Sequence, residues 1–130
     1  MKKWLENKGL PLTNTNFADA SGLSRKNKIT TKLIVLFLDK MRYSNDFKAY
    51  QSTLSIMGVR GTLSKRFVNS ELSGKFIGKT GTLSNVFAIS GFLYKNEKPI
   101  IISIIQNSNN IDKEKAFKLL RDVYYMKSCK

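Results

Sequence analysis

The sequence predicts an α+β fold (α/β in the broad sense) in which helices precede an antiparallel sheet of three consecutive strands and one helix follows it. Three observations predict this order. Lys75 to Thr82, Val86 to Tyr94 and Pro99 to Gln106 are apolar runs of strand length. The last two are joined by Lys95-Asn96-Glu97-Lys98, a polar connection short enough for a hairpin. Ile100, Ile101, Ile102, Ile104 and Ile105 make the third strand apolar on both faces, so helices should cover both sides of the sheet.

The remaining elements follow from local signals. Trp4 to Lys8 makes one or two helical turns stopped by Gly9, and Pro11, Thr13, Asn14 and Asn16 mark a loop. Phe17 to Asn27 is polar and irregular around Gly22. Thr30 or Thr31 can cap a helix to about Arg42, with Leu33, Leu36, Phe37 and Met41 as its core stripe. Tyr43-Ser44-Asn45 reads as a turn, and Phe47 to about Ile56 as a further short helix. Gly58 and Gly61 mark a tight turn before the basic segment Thr62 to Phe67. Ser108-Asn109-Asn110 is expected to cap a last helix that starts near Asp112 and packs Ala116, Leu119, Leu120 and Val123 on the strands.

A chain of 130 residues without repeats fits one unit. Its 23 Lys and Arg against 9 Asp and Glu give +14, which attracts nucleic acid, anionic lipid and anionic wall polymer alike. The richest basic stretch, Arg25, Lys26, Lys28 and Lys32, has no interleaved aromatics to stack on bases, so a nucleic-acid partner is not expected. Before the C-terminal third the longest apolar run is Leu33 to Leu38, far below the roughly 20 residues of a membrane span. Met1-Lys2-Lys3-Trp4-Leu5-Glu6 has no apolar stretch behind its lysines and does not read as a signal peptide. Cys129 is the only cysteine and reads as a free thiol on a frayed terminus. The absence of His excludes Ser-His-Asp and Cys-His catalysis, leaving Lys as the base for any nucleophilic mechanism.

Chemistry concentrates at Lys79-Thr80-Gly81-Thr82 in the first strand. Taken alone the triplet is a weak signal, more often an ordinary Lys on a solvated strand end. Two other stretches stand in order before it. Asp19-Ala20-Ser21-Gly22-Leu23-Ser24-Arg25-Lys26-Asn27 resembles the D-G-S-G-L-S-R-x-N signature of class C penicillin-binding proteins, the D-alanyl-D-alanine carboxypeptidases and endopeptidases. Met57-Gly58-Val59-Arg60-Gly61-Thr62-Leu63-Ser64-Lys65-Arg66-Phe67 is similar to their A-G-x-x-G-T-L-x-x-R-F segment. The likeness runs from Trp4-Leu5 to Gly91-Phe92. Ala20 departs from the usual Gly.

This resemblance implies that residues 1–130 form the C-terminal portion of a serine β-lactamase/transpeptidase-like domain, whose complete form has a five-stranded antiparallel sheet covered by helices. It implies that Lys79, Thr80 and Thr82 hold the substrate's terminal carboxylate, which needs a cation and hydroxyl donors. Gly81 lets the acyl chain approach the backbone. The Thr82 N–H serves as an oxyanion donor, a contribution of about 3–4 kcal/mol in serine hydrolases. Ser21, Ser24 and Arg25 are implied as cleft-shaping residues, with buttressing an equal alternative.

In this family an S-x-x-K nucleophile motif and an S-x-N motif precede the Asp19 segment. No Ser in the sequence is followed three residues later by Lys. Ser108-Asn109-Asn110 has the S-x-N form but follows the K-T-G triplet. The expectation is therefore a chain inactive alone, dependent on an N-terminal segment or partner chain, with exposed apolar surface where that segment packs. The complete protein would be periplasmic or extracellular, act on peptidoglycan stem peptides, bind β-lactams and need no metal or organic cofactor. Two other readings stay open: a truncated, non-catalytic remnant that binds anionic wall polymer, and a basic nucleic-acid-binding domain. The second needs Lys and Arg concentrated on one face.

Overall fold

The computed structural model describes residues 2–126. Cys129 lies outside the described residues. The elements are α1 (Lys2–Asn7), α2 (Thr31–Met41), α3 (Phe47–Ser52), β1 (Ser55–Ile56), a 3-10 turn (Gly61–Leu63), β2 (Phe76–Leu83), β3 (Val86–Leu93), β4 (Ile100–Asn107) and α4 (Lys113–Tyr125).

The predicted meander forms with each strand shifted by a residue or less at its start. β2 pairs antiparallel with β3, from Phe76 opposite Leu93 to Leu83 opposite Val86. β3 pairs antiparallel with β4, from Val86 opposite Asn107 to Leu93 opposite Ile100. Ser84 and Asn85 alone connect β2 to β3, a two-residue hairpin turn that fixes the register.

The helix expected from Phe47 to about Ile56 ends at Ser52, because the Ser52 and Thr53 hydroxyls fold back onto the Ala49 and Tyr50 carbonyls, each at 2.7 Å. Ser55 and Ile56 then become β1, opposite Gly78 and Ile77, so the sheet has four strands in the order β1-β2-β3-β4.

Helices cover both faces of the sheet, as the isoleucine strand requires. On one face Phe76, Phe87, Ile89 and Leu93 pack with Met57, Leu63, Leu72 and the α4 residues Ala116, Phe117 and Leu120. Full burial of each large apolar side chain contributes about 1.5–3 kcal/mol. Phe117 takes the place expected of Leu119, which is 51% exposed. On the other face Phe92, Ile77 and Ile101 meet Leu38, Ile34 and Phe37 of α2, Phe47 and Tyr50 of α3, and Leu54.

The two longer helices, α2 and α4, are capped by side chains at their starts. The Thr30 hydroxyl accepts from the Leu33 N–H at 3.1 Å, and the Asp112 carboxylate from the Lys115 N–H at 3.0 Å. Asp112, and not Ser108-Asn109-Asn110, is therefore the cap of α4. The Ser108 hydroxyl instead accepts from the Asn110 N–H within its own turn.

Beneath the K-T-G segment the backbones of β2 and β3 come unusually close. Gly78 stands opposite Gly91. A Cβ on Gly78 would lie 2.4 Å from the Ser90 carbonyl oxygen, and one on Gly91 would lie 2.3 Å from that of Ile77. The Phe76 ring fills the space over the pair, within 2.6 Å of a Gly78 Cβ and 2.9 Å of a Gly91 Cβ.

Candidate active site

β1 covers only the first part of the outer side of β2, ending its pairing at Gly78. From Lys79 onward β2 has no strand partner on that side among the described residues. This free edge carries all four residues expected to bind substrate.

The backbone parity of β2 decides which groups face outward. The Lys75 carbonyl accepts from the Tyr94 N–H at 2.8 Å, toward β3, whereas the Phe76 carbonyl accepts from the Met57 N–H at 2.9 Å, on the opposite side. Antiparallel pairing alternates the two directions. Gly78, Thr80 and Thr82 therefore aim their N–H and C=O groups away from β3, the last two into the open edge. The Lys79 ammonium donates to the Thr80 carbonyl, which brings the cation to that same edge. Lys79, Gly81 and Thr82 are exposed and Thr80 is half-buried. A Cβ on Gly81 would meet nothing closer than the Ala88 Cβ at 3.8 Å, so at Gly81 the fold itself would admit a side chain.

Hydroxyl groups line one margin of the edge. The Thr80 and Thr62 hydroxyl oxygens are 2.8 Å apart, and Thr62 in turn lies 3.2 Å from the Ser55 hydroxyl. Thr62 sits in the 3-10 turn, which the buried Leu63 anchors in the core.

The loop containing Asp19 reaches the far end of the same strand. Its chain ends are joined by the Asn16 and Lys28 backbone pair, two bonds of 2.8 Å. Inside it the Asp19 carboxylate accepts from the N–H groups of Gly22 (2.9 Å) and Ser24 (2.8 Å) and from the Asn27 side chain (2.8 Å). These bonds, that from Asn27 foremost, hold the Asp19 carboxyl below the usual aspartate range. Ser21 and Ser24 use their hydroxyls within the loop, accepting from the Leu23 and Lys26 N–H groups. Arg25 leaves the loop and donates to Ser84 and Asn85, the turn that follows Thr82 and Leu83.

The structure thus brings Lys79, Thr80, Gly81, Thr82 and Arg25 to one strand and its turn, while Ser21 and Ser24 brace the loop. Lys79 lies on an open edge: the cavities of about 560 Å³ beside α4 and about 190 Å³ beside β1 do not include it. Sequence reasoning did not single out Ser55, Thr62, Ser84 or Asn85. Thr62 had a signal in its G-T-L context, and Ser84-Asn85 in the tight spacing between two strands.

Comparisons with known proteins place the chain among its relatives. The family model of the D-Ala-D-Ala carboxypeptidase 3 (S13) family matches residues 1–123. The chain is similar to the D-alanyl-D-alanine carboxypeptidase DacB of Haemophilus influenzae, 31% identical over 91% of this chain and 26% of the relative. It is also similar to the penicillin-sensitive carboxypeptidase A of Dictyostelium discoideum, 34% identical over 77% of this chain and 21% of the relative. A crystal structure of penicillin-binding protein 4 (dacB) from Haemophilus influenzae superposes with a TM-score of 0.81 at 27% identity, covering 96% of this chain and 31% of that one. A second structure of that protein, complexed with a novel β-lactam, gives 0.80 at 29%, covering 96% and 32%. The chain spans about a quarter or less of the length of these curated relatives.

Proposed function

The chain belongs to the D-Ala-D-Ala carboxypeptidase 3 (S13) family, and we propose that it forms the carboxylate-binding wall of a serine-type D-alanyl-D-alanine carboxypeptidase or endopeptidase site. The observation that carries this reading is the free edge of β2, where the Thr80 and Thr82 N–H groups point outward beside the Lys79 ammonium. A peptide ending in a carboxylate can lie along that edge as an added strand. Lys79 and the Thr80 and Thr82 hydroxyls then hold its carboxylate, and exposed Gly81 lets the acyl part approach.

Catalysis would need a Ser-Lys pair, which we place outside these 130 residues. The Ser oxygen attacks the penultimate D-Ala carbonyl of a peptidoglycan stem peptide, forming an ester, and its proton passes by way of the Lys to the amine of the departing D-Ala. The Thr82 N–H faces the developing oxyanion. Water then opens the ester. β-Lactams would acylate the same Ser, in keeping with the β-lactam complex of the related Haemophilus protein. Peptidoglycan as substrate puts the complete protein in the periplasm or outside the cell. No helix among the described residues is long and apolar enough to cross a membrane.

A second reading, a non-catalytic remnant on anionic wall polymer, draws on the +14 charge and the lack of an internal Ser-x-x-Lys. Saturation-transfer NMR of the dilute chain with N-acetyl-D-Ala-D-Ala and with its C-terminal amide separates the two. The first reading predicts preference for the acid, lost in Lys79→Ala. Equal binding of acid and amide by the native chain would contradict it.

A further inference from the structure

We propose that Ser55 and Thr62 are positioning residues that orient the Thr80 hydroxyl as a donor toward the bound carboxylate. This rests on the carboxylate-wall reading above. The Ser55 hydroxyl accepts from the Thr62 N–H at 3.2 Å. That leaves the Ser55 proton free to donate to the Thr62 hydroxyl 3.2 Å away. Thr62 in turn can donate to Thr80 across 2.8 Å. In this order each hydroxyl donates to the next, and the Thr80 proton is the one left over. In the opposite order Thr80 donates to Thr62 and presents only lone pairs, which repel an anion. An anion at the β2 edge therefore selects the first order, and each bond in a chain of hydroxyls strengthens the next.

The fold is built to keep these three oxygens together. Ser55 stands opposite Gly78, so its side chain and that of Thr80 lie on the same face of the sheet. Gly61 adopts φ +70°, and a Cβ there would lie 2.4 Å from the Ser55 hydroxyl oxygen and 2.9 Å from its Cβ. Only glycine at this turn both takes that backbone conformation readily and leaves the Ser55 hydroxyl beneath the Thr62 N–H. Leu63, fully buried, fixes the turn next to it, and its carbonyl accepts from the Gly58 N–H at 3.0 Å. The hydroxyls therefore lose little further freedom when an anion arrives.

The test compares Thr62→Val, which keeps the shape and removes the hydroxyl, with Thr62→Ser, which keeps the hydroxyl. Both are titrated with N-acetyl-D-Ala-D-Ala by saturation-transfer NMR beside the native chain and Lys79→Ala, and each variant is melted. We expect Thr62→Val to weaken binding about 5- to 10-fold, Thr62→Ser to stay within about twofold of native, and both to melt as the native chain does. Native-like binding by Thr62→Val while Lys79→Ala is weakened would overturn the hydroxyl chain and leave the carboxylate wall standing. Equal losses in Thr62→Val and Thr62→Ser would also overturn it, since a packing role alone would produce them. An unaffected Lys79→Ala, or no binding by the native chain, would remove the carboxylate wall and this inference with it.

Discussion

The guanidinium of Arg25 donates to the hydroxyl of Ser84 across 59 residues of chain, tying the Asp19 loop to the β2–β3 turn. Both residues are exposed, so the contact contributes to stability by about 1 kcal/mol or less. Arg25→Ala should leave the melting temperature nearly unchanged and speed hydrogen exchange at residues 84–86. Unchanged exchange there would show that the loop does not steady the turn.

The Gly78–Gly91 pair sets how closely β2 lies against β3 just below Lys79. Gly91→Ala would drive a methyl into backbone, 2.3 Å from the Ile77 carbonyl oxygen and 2.5 Å from the Gly78 Cα. It should destabilise the fold by about 2–4 kcal/mol. Gly81→Ala, whose new methyl meets only an ordinary contact at 3.8 Å, should melt within about 0.5 kcal/mol of native and weaken N-acetyl-D-Ala-D-Ala binding instead. Equal melting effects at the two positions would contradict this division between packing and site.

Asp19 couples the loop to pH. Its carboxyl is held below the usual aspartate range, chiefly by Asn27, with the Gly22 and Ser24 N–H groups adding to the effect. A depressed carboxyl stabilises the loop fully above the ordinary value of about 3.9 and loses that contribution as pH falls through the folded value. The Gly22 and Ser24 amide resonances should therefore hold constant at neutral pH and move toward unfolded positions under acid conditions below about pH 4. Asp19→Asn should abolish that transition. An identical acid transition in the variant would assign it to other groups.

Much of this fold was legible because its signals are local. Apolar runs with a polar break announced β2, β3 and β4, and the Ile100–Ile105 run announced cover on both faces. The β1 strand was not legible: it is two residues long, and only its pairing with Gly78 and Ile77 makes it a strand. The same holds for the site. Lys79, Thr80, Gly81 and Thr82 are contiguous and readable. The Ser55, Thr62 and Thr80 cluster and the Arg25 contact to Ser84 and Asn85 join residues from separate segments, and no sequence period reports such meetings.

β4 pairs with β3 alone among the described residues, leaving its outer edge open. Ile100 is 40% exposed, and Ile101 to Ile105 include four isoleucines that are only half-buried. An open edge of this kind favours pairing with another chain. The isolated chain should bind a hydrophobic dye such as ANS and self-associate as its concentration rises. A sharp two-state melt of a monodisperse, dye-free monomer would count against it.

The most direct test is covalent labelling by a fluorescent penicillin, read on a denaturing gel. The chain contains no Ser followed three residues later by Lys and no His to activate another Ser, so alone it should give no band. Mixed with or joined to a family segment that supplies the Ser-x-x-Lys and Ser-x-Asn motifs, it should label, and Lys79→Ala should weaken that label by removing the carboxylate's cation. A covalent band from the isolated chain, abolished by replacing one of its own serines, would contradict the account.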